Sequence, residues 1–227
     1  MRRKINTLLF VFLGLILLLF ILNLVGVFKI SKAGGGANEP AIEMGQRFVY
    51  SKFLAPKRFD IICFTRDDPY FGKAQMFQFR LVGLPGDKIE FRNGHAFVNG
   101  DSIDRNLNLK HQYAIDHQTF LNKKELIDYK EQEFQVGGND SVYMTLLDSN
   151  ILNQKISAKR ISHSGVAIGD SLFVERVSSW TIDNFGPITI PENSFFVLGD
   201  NRDASSDSRY IGFVNSASVV GTVFWKL

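Results

Sequence analysis

A single cysteine, Cys63, in 227 residues rules out any disulfide within the chain, and the redox compartment cannot be read from it. Histidine is nearly as scarce. His95, His111, His117 and His163 show no metal-ligand spacing, and no Cys-x-x-Cys occurs. Neither a metal nor any other cofactor is expected, and the histidines read as surface or satisfied groups. Charge of one sign is lacking too. Lys and Arg number 26 against 23 Asp and Glu, and Arg2, Arg3 and Lys4 account for the difference of +3. The rest of the chain is neutral overall, which excludes nucleic acid as the expected partner. Internal repeats and low-complexity segments are absent.

What the chain does have is one long uncharged apolar run, residues 5–28. At ~1.5 Å per residue it reaches ~36 Å, enough to cross a ~30 Å hydrocarbon core with some tilt. The apolar part of a cleaved signal peptide is shorter, about 7–15 residues, and normally ends in a small-x-small site, which Lys29–Gly36 does not offer. A retained anchor over 5–28 is expected. Residues 1–4 are then a cytoplasmic tail by the positive-inside rule, although Lys29 and Lys32 weaken the asymmetry. The rest lies outside the cytoplasm, so a single-pass protein of the inner (cytoplasmic) membrane is predicted. Residues 29–36 read as a linker, flexible at 33–36.

Beyond the linker, short apolar runs alternate with turn residues. Phe59–Phe64 reads as a buried strand. Met76–Val82 is a strand with Phe77, Phe79 and Leu81 on one face and Gln78 and Arg80 on the other. Lys88–Phe91 and His95–Val98 flank Asn93-Gly94 as a hairpin with a type I′ turn, and Asn99-Gly100 repeats that chemistry. Ser194–Leu198 and Val219–Trp225 are further strands. Residues 105–164 are more polar, and Gln118–Gln132 has helical apolar spacing with Thr119 as N-cap. The fold class predicted is mainly β, with a small α/β insertion and one N-terminal transmembrane helix. The expected divisions are 37–104 and 165–227 as two parts of one β domain and 105–164 as an inserted subdomain with one helix.

Four segments, in order, carry a resemblance. They are Glu39-Pro40-Ala41-Ile42-Glu43-Met44-Gly45-Gln46, then Lys57-Arg58-Phe59-Asp60-Ile61-Ile62-Cys63-Phe64, then Phe79-Arg80-Leu81-Val82-Gly83-Leu84-Pro85-Gly86-Asp87, and last the box running from Gly199-Asp200-Asn201-Arg202-Asp203 through Ser205, Asp207 and Arg209 to Val214. Together, behind an N-terminal anchor, they resemble the type I signal peptidases (the S26 leader peptidase family), membrane-bound serine endopeptidases that remove signal peptides from exported preproteins. The resemblance implies the signal peptidase β fold, and signal peptides or exported preproteins as partners.

The resemblance also implies a nucleophilic serine three residues before Pro40 and a lysine base immediately before Arg80. Those positions hold Ala37 and Phe79. A serine hydroxyl needs a base, and a lysine base must be neutral, a state favoured by apolar burial. Alanine has no heteroatom to attack a carbonyl, and phenylalanine accepts no proton. Gly35 stands where many members place a hydroxyl that supports the oxyanion. Ser205 matches a serine that orients the lysine, and without that lysine it reads as a turn hydroxyl. Pro40, Arg80, Asp200, Asp207 and Arg209 frame the site, with Asp207 and Arg209 as a bracing pair. No replacement dyad emerges. Arg80 stays protonated. Lys73 lies ~20 Å from Phe79 along a straight strand. Ser51 and Lys52 point to opposite faces.

Three readings of function follow. The first is a non-catalytic, membrane-anchored signal peptidase-like protein that binds signal-peptide regions as an added strand or modulates an active signal peptidase relative. The second is an active signal peptidase I using unidentified residues. The third is a structural envelope assembly protein. Phe79 reads as a core aromatic or as one wall of a peptide groove. Phe53, Phe71 and Phe213 are expected at the membrane interface.

Overall fold

The computed structural model describes residues 2–24, 26–68, 72–123, 134–136, 141–153, 156–163 and 179–227. Their strands form three antiparallel sheets. The largest has seven strands in the order β1 (Lys29–Lys32), β2 (Arg47–Ser51), β15 (Val219–Lys226), β3 (Ile61–Asp68), β4 (Lys73–Gly83), β13 (Ser194–Leu198) and β14 (Val214–Asn215). A second joins β12 (Phe185–Thr189), β5 (Lys88–Arg92), β6 (His95–Val98) and β7 (Asp101–Ser102). The third, β11 (Ala158–Arg160), β8 (Lys110–Asp116), β10 (Ser141–Leu147) and β9 (Phe134–Val136), lies within the stretch read as an insertion.

The unbroken apolar run Ile61-Ile62-Cys63-Phe64 is explained by burial on both faces of the large sheet. Ile61 and Cys63 pack with Phe48, Tyr50 and Ile42, while Ile62 and Phe64 pack with Phe79, Leu81 and Val197 on the other side. A strand covered twice has no polar face to alternate. Burial pushes the Cys63 thiol up to about 12, so it is no nucleophile. The hairpin sheet packs Ile89, Phe91, Val98 and Phe185 against Val82, Phe196 and Leu198. Asn93 and Gly94, then Asn99 and Gly100, all have positive φ, the conformation a type I′ turn demands.

Several expectations need correction. The N-terminal helix α1 is Arg2–Leu24 rather than residues 5–28, and among the described residues no helix is long and apolar enough to cross a membrane. The linker is not loose. Residues Lys29–Lys32 pair with β2, and Ala33 is buried, its N–H bonded to Gln46 and its carbonyl accepting from Gly45. The run at 59–64 starts its strand only at Ile61, because Phe59 has φ 75° and is exposed. Among the described residues the insertion holds a sheet and two short helices, α2 (His117–Lys123) and α3 (Asp148–Asn153), where one helix is expected. Asp116, not Thr119, caps α2 by accepting from the Thr119 N–H, and residues 124–133 lie outside the described residues. Of the three phenylalanines expected at the membrane interface, Phe53 is exposed, Phe213 packs on the hairpin core, and Phe71 lies outside the described residues.

His111 is neither a surface nor a fully satisfied histidine. It is 1 % exposed, its Nδ1 lies 2.7 Å from Asp148 Oδ1, and its Nε2 has no partner among the described residues. Burial depresses its pKa below 6.5, with the Asp148 contact offsetting part of that shift. A depressed histidine takes its proton first in the unfolded chain. Its contribution is therefore full above the unfolded value and is lost as the pH falls through the window below 6.5. The expected result is a lower Tm at about pH 5.5 than at about pH 7.5, where carboxylates of unfolded pKa near 4 stay ionised. The drop should shrink in His111→Asn; an unchanged drop would assign it to other groups.

Candidate functional site

The loop between β1 and β2 is tied up by its own backbone. Gly45 turns with φ 81° to bond Ala33, Ile42 donates to Asn38, and Met44 donates to Glu39 Oε1. The buried Glu39 carboxylate also pairs at 3.0 Å with the Nζ of Lys110, a buried lysine at the start of β8. This loop is pinned to the C-terminal box and to β4. Asn201 donates its backbone N–H to Ala37 O at 3.0 Å and its amide to Gly36 O at 3.2 Å. The Asn38 amide donates to Gln78 O at 2.5 Å.

Ala37 is thereby set beside Phe79. Both belong to one apolar cluster, and both line a groove of about 500 Å³ with Lys32, Gly34–Gly36, Gln75–Gln78, Ala204 and Ser206. Phe79 is 4 % exposed and sits between Phe77 (ring centroids 6.4 Å) and Phe64 (6.1 Å). Of the residues singled out from sequence, Gly35, Ala37 and Phe79 share this groove. Pro40 is half-buried in the loop and does not line it.

The other frame residues stand behind. Arg80 turns away and grips Asp200, its Nε 2.6 Å from Oδ1 and its Nη2 on Oδ2, while its Nη1 bonds Phe59 O. It lines a different cavity, of about 430 Å³, together with Trp225. Asp207, fully buried, accepts from Gly199 N, Ser205 Oγ, Arg209 N, Arg209 Nε and Arg209 Nη2 at 2.8–3.2 Å. The Arg209 Nη2 also donates to Arg202 O. Ser205 is thus a buried hydroxyl whose proton is committed to a carboxylate. Asp104 ties the hairpin sheet into the same box. Burial raises its pKa, but the Arg202 guanidinium and hydrogen bonds from His95, Arg202 and the Ala96 N–H outweigh that and hold it well below the usual carboxylate range.

Gly199 shows how tightly the frame closes. A Cβ there would lie 2.3 Å from Ser205 Oγ and 2.5 Å from Ala37 O. Gly199→Ala is expected to destabilise the domain by about 2–3 kcal/mol, because backbone must move. Urea denaturation reads this directly, and a change below about 0.5 kcal/mol would show that the box is looser than described.

Among the described residues, β4 offers this groove an unpaired edge. Its partner β13 covers only Arg80–Gly83, while β3 covers the other side along Lys73–Arg80. With Gln78 O pointing at Asn38, strand alternation leaves the N–H and C=O groups of Met76 and Ala74 on that same free edge. An extended peptide can add there as a strand. Sequence reasoning missed Lys32, Gln75, Met76 and Ser206 as lining residues. The parity of β4 was a usable signal for its edge, whereas nothing local marks Lys32 or Ser206. Among the described residues no group of three or more His, Cys, Asp or Glu is placed to hold a metal ion.

A family model described as "Signal peptidase, peptidase S26" matches residues 4–227. The chain belongs to the S26 signal peptidase family. Its S26 relatives include the signal peptidase I of Streptococcus pneumoniae serotype 4 (strain ATCC BAA-334 / TIGR4), 24 % identical over 222 residues, covering 93 % of this chain and 90 % of that one. Another is the signal peptidase I of Bacillus caldolyticus, 28 % identical over 196 residues, covering 85 % and 75 %. The crystal structure of a signal peptidase I from Enterococcus faecalis V583 matches with 26 % identity and a TM-score of 0.36, covering 75 % of this chain and 98 % of that one.

Proposed function

We propose that this S26 chain is a membrane-anchored signal peptidase I-like protein that binds the signal region of exported preproteins, or modulates an active relative, without cutting. The observation that carries the reading is the juxtaposition of Ala37 and Phe79 in one groove, at the positions where the family's serine and lysine are expected. Neither side chain has a nucleophilic or proton-accepting atom. The open β4 edge beside them supports strand addition. What supports the anchor is the exposed apolar side chains of α1, among them Leu8, Phe10 and Phe12, which none of the other described residues covers. The domain then sits outside the cytoplasm, against the inner membrane. The test is incubation of the full-length protein, in detergent, with a preprotein whose signal ends in Ala-x-Ala. The preprotein is expected to stay uncut. Its cleavage, once contaminating peptidase is excluded, overturns the reading.

One observation favours a second reading, an active enzyme. The groove lining includes one serine and one lysine, Ser206 and Lys32. Both side chains are exposed to solvent. Were the preprotein cut, Ser206→Ala would abolish the cleavage on this second reading and leave it intact otherwise.

A further inference from the structure

The groove has one charged lining residue, Lys32, and no carboxylate among the others. Lys32 makes no ion pair among the described residues, and its stem rests 3.5 Å from where a Gly45 Cβ would stand. Next to it, the N–H groups of Gly34, Gly35 and Gly36 have no acceptor among the described residues, and a Cβ on Gly34 or Gly35 would meet nothing within 4 Å. One end of the groove therefore offers an unpaired cation and a run of free backbone donors, the chemistry that recognises a carboxylate. A peptide passing uncut through the groove brings no charge to this end. A peptide that terminates there brings one negative charge.

We propose that the groove selects peptides with a free C-terminal carboxylate, of the class a signal peptide becomes once it has been released from its preprotein. The peptide lies along the open edge of β4, its small C-terminal side chains toward Ala37 and Phe79, and its carboxylate faces Lys32 and the Gly34–Gly36 amides. This rests on the binding reading above, and it gives the chain a preference for the product of cleavage over the intact precursor that it also binds.

The experiment measures binding of the full-length chain, in detergent, to a labelled apolar peptide ending Ala-Gln-Ala in three forms: the free acid, the C-terminal amide, and the same sequence continued by uncharged residues. The free acid is expected to bind about three- to tenfold more tightly than the amide at low salt, with the difference shrinking as salt screens a rim charge. Lys32→Gln should bring the ratio of free-acid to amide affinity down to about one, and Lys32→Arg should keep the preference. Equal binding of the three forms, or a preference that survives Lys32→Gln, overturns this inference and leaves the binding reading standing. Binding of none of the three overturns both.

Discussion

Ala37→Ser together with Phe79→Lys is expected to turn a chain that leaves preproteins uncut into one that cleaves them. Ala37 needs no repositioning, because its carbonyl is fixed by Asn201 N and its neighbours Gly36 and Asn38 by the Asn201 amide and Gln78 O. The space held by Phe79 is walled by Ile62, Phe64, Phe77, Leu81 and Val197. A lysine stem fills it, and these apolar walls disfavour the ammonium, so the amine is neutral often enough to take a serine proton. Losing the aromatic from the stack costs about 2 kcal/mol, which the domain survives. Each single variant stays silent, because a nucleophile and its base act as a unit and their effects are far from additive. Activity in the double variant, read as release of the mature chain, would show the frame intact. Inactivity in a folded double variant would mean that the frame, not only the dyad, has drifted.

Asp207→Ala is expected to be the most destabilising single substitution in the C-terminal box. Its carboxylate accepts five hydrogen bonds, and the Arg209 side chain it neutralises is 1 % exposed. Removing the carboxylate strands a buried guanidinium and the Gly199 N–H together, a loss of about 3–5 kcal/mol. In a domain of this size that lowers Tm by about 10 °C. Ser205→Ala, which removes one of the five bonds, should cost only about 1 kcal/mol. Thermal melts of the two variants side by side test the ranking. Equal losses would show that Asp207 braces the turn through Ser205 alone and that Arg209 finds other partners.

The strands that the sequence revealed are those whose signals are local. Ser194–Leu198 coincides with β13, and the paired Asn-Gly turns sit where positive φ is required. Phe79 and Arg80 diverge as period two demands, one into the aromatic stack and the other onto Asp200. What stayed hidden depends on distant partners. Lys29–Lys32 looks like a linker because only β2 makes it a strand. The strand Lys110–Asp116 begins with a lysine and a histidine that are buried because Glu39, 71 residues away, and Asp148 receive them. No periodicity announces a buried ion pair across such a separation. In the site, Ala37 and Phe79 could be singled out because motifs bracket them, while the groove that joins them, with Lys32 and Ser206 on its rim, exists only once the loop at 33–46 closes on the C-terminal box.

The most direct test of the account is a photo-crosslink read by mass. A preprotein carrying a photoreactive residue just before the end of its signal is irradiated with the full-length native chain in detergent, and the adduct is weighed and its crosslink mapped. The account predicts an adduct equal to the chain plus uncut preprotein, joined within residues 74–79 or 34–37. An adduct containing only the signal fragment with mature chain released, or crosslinks that fall outside those segments, would contradict it.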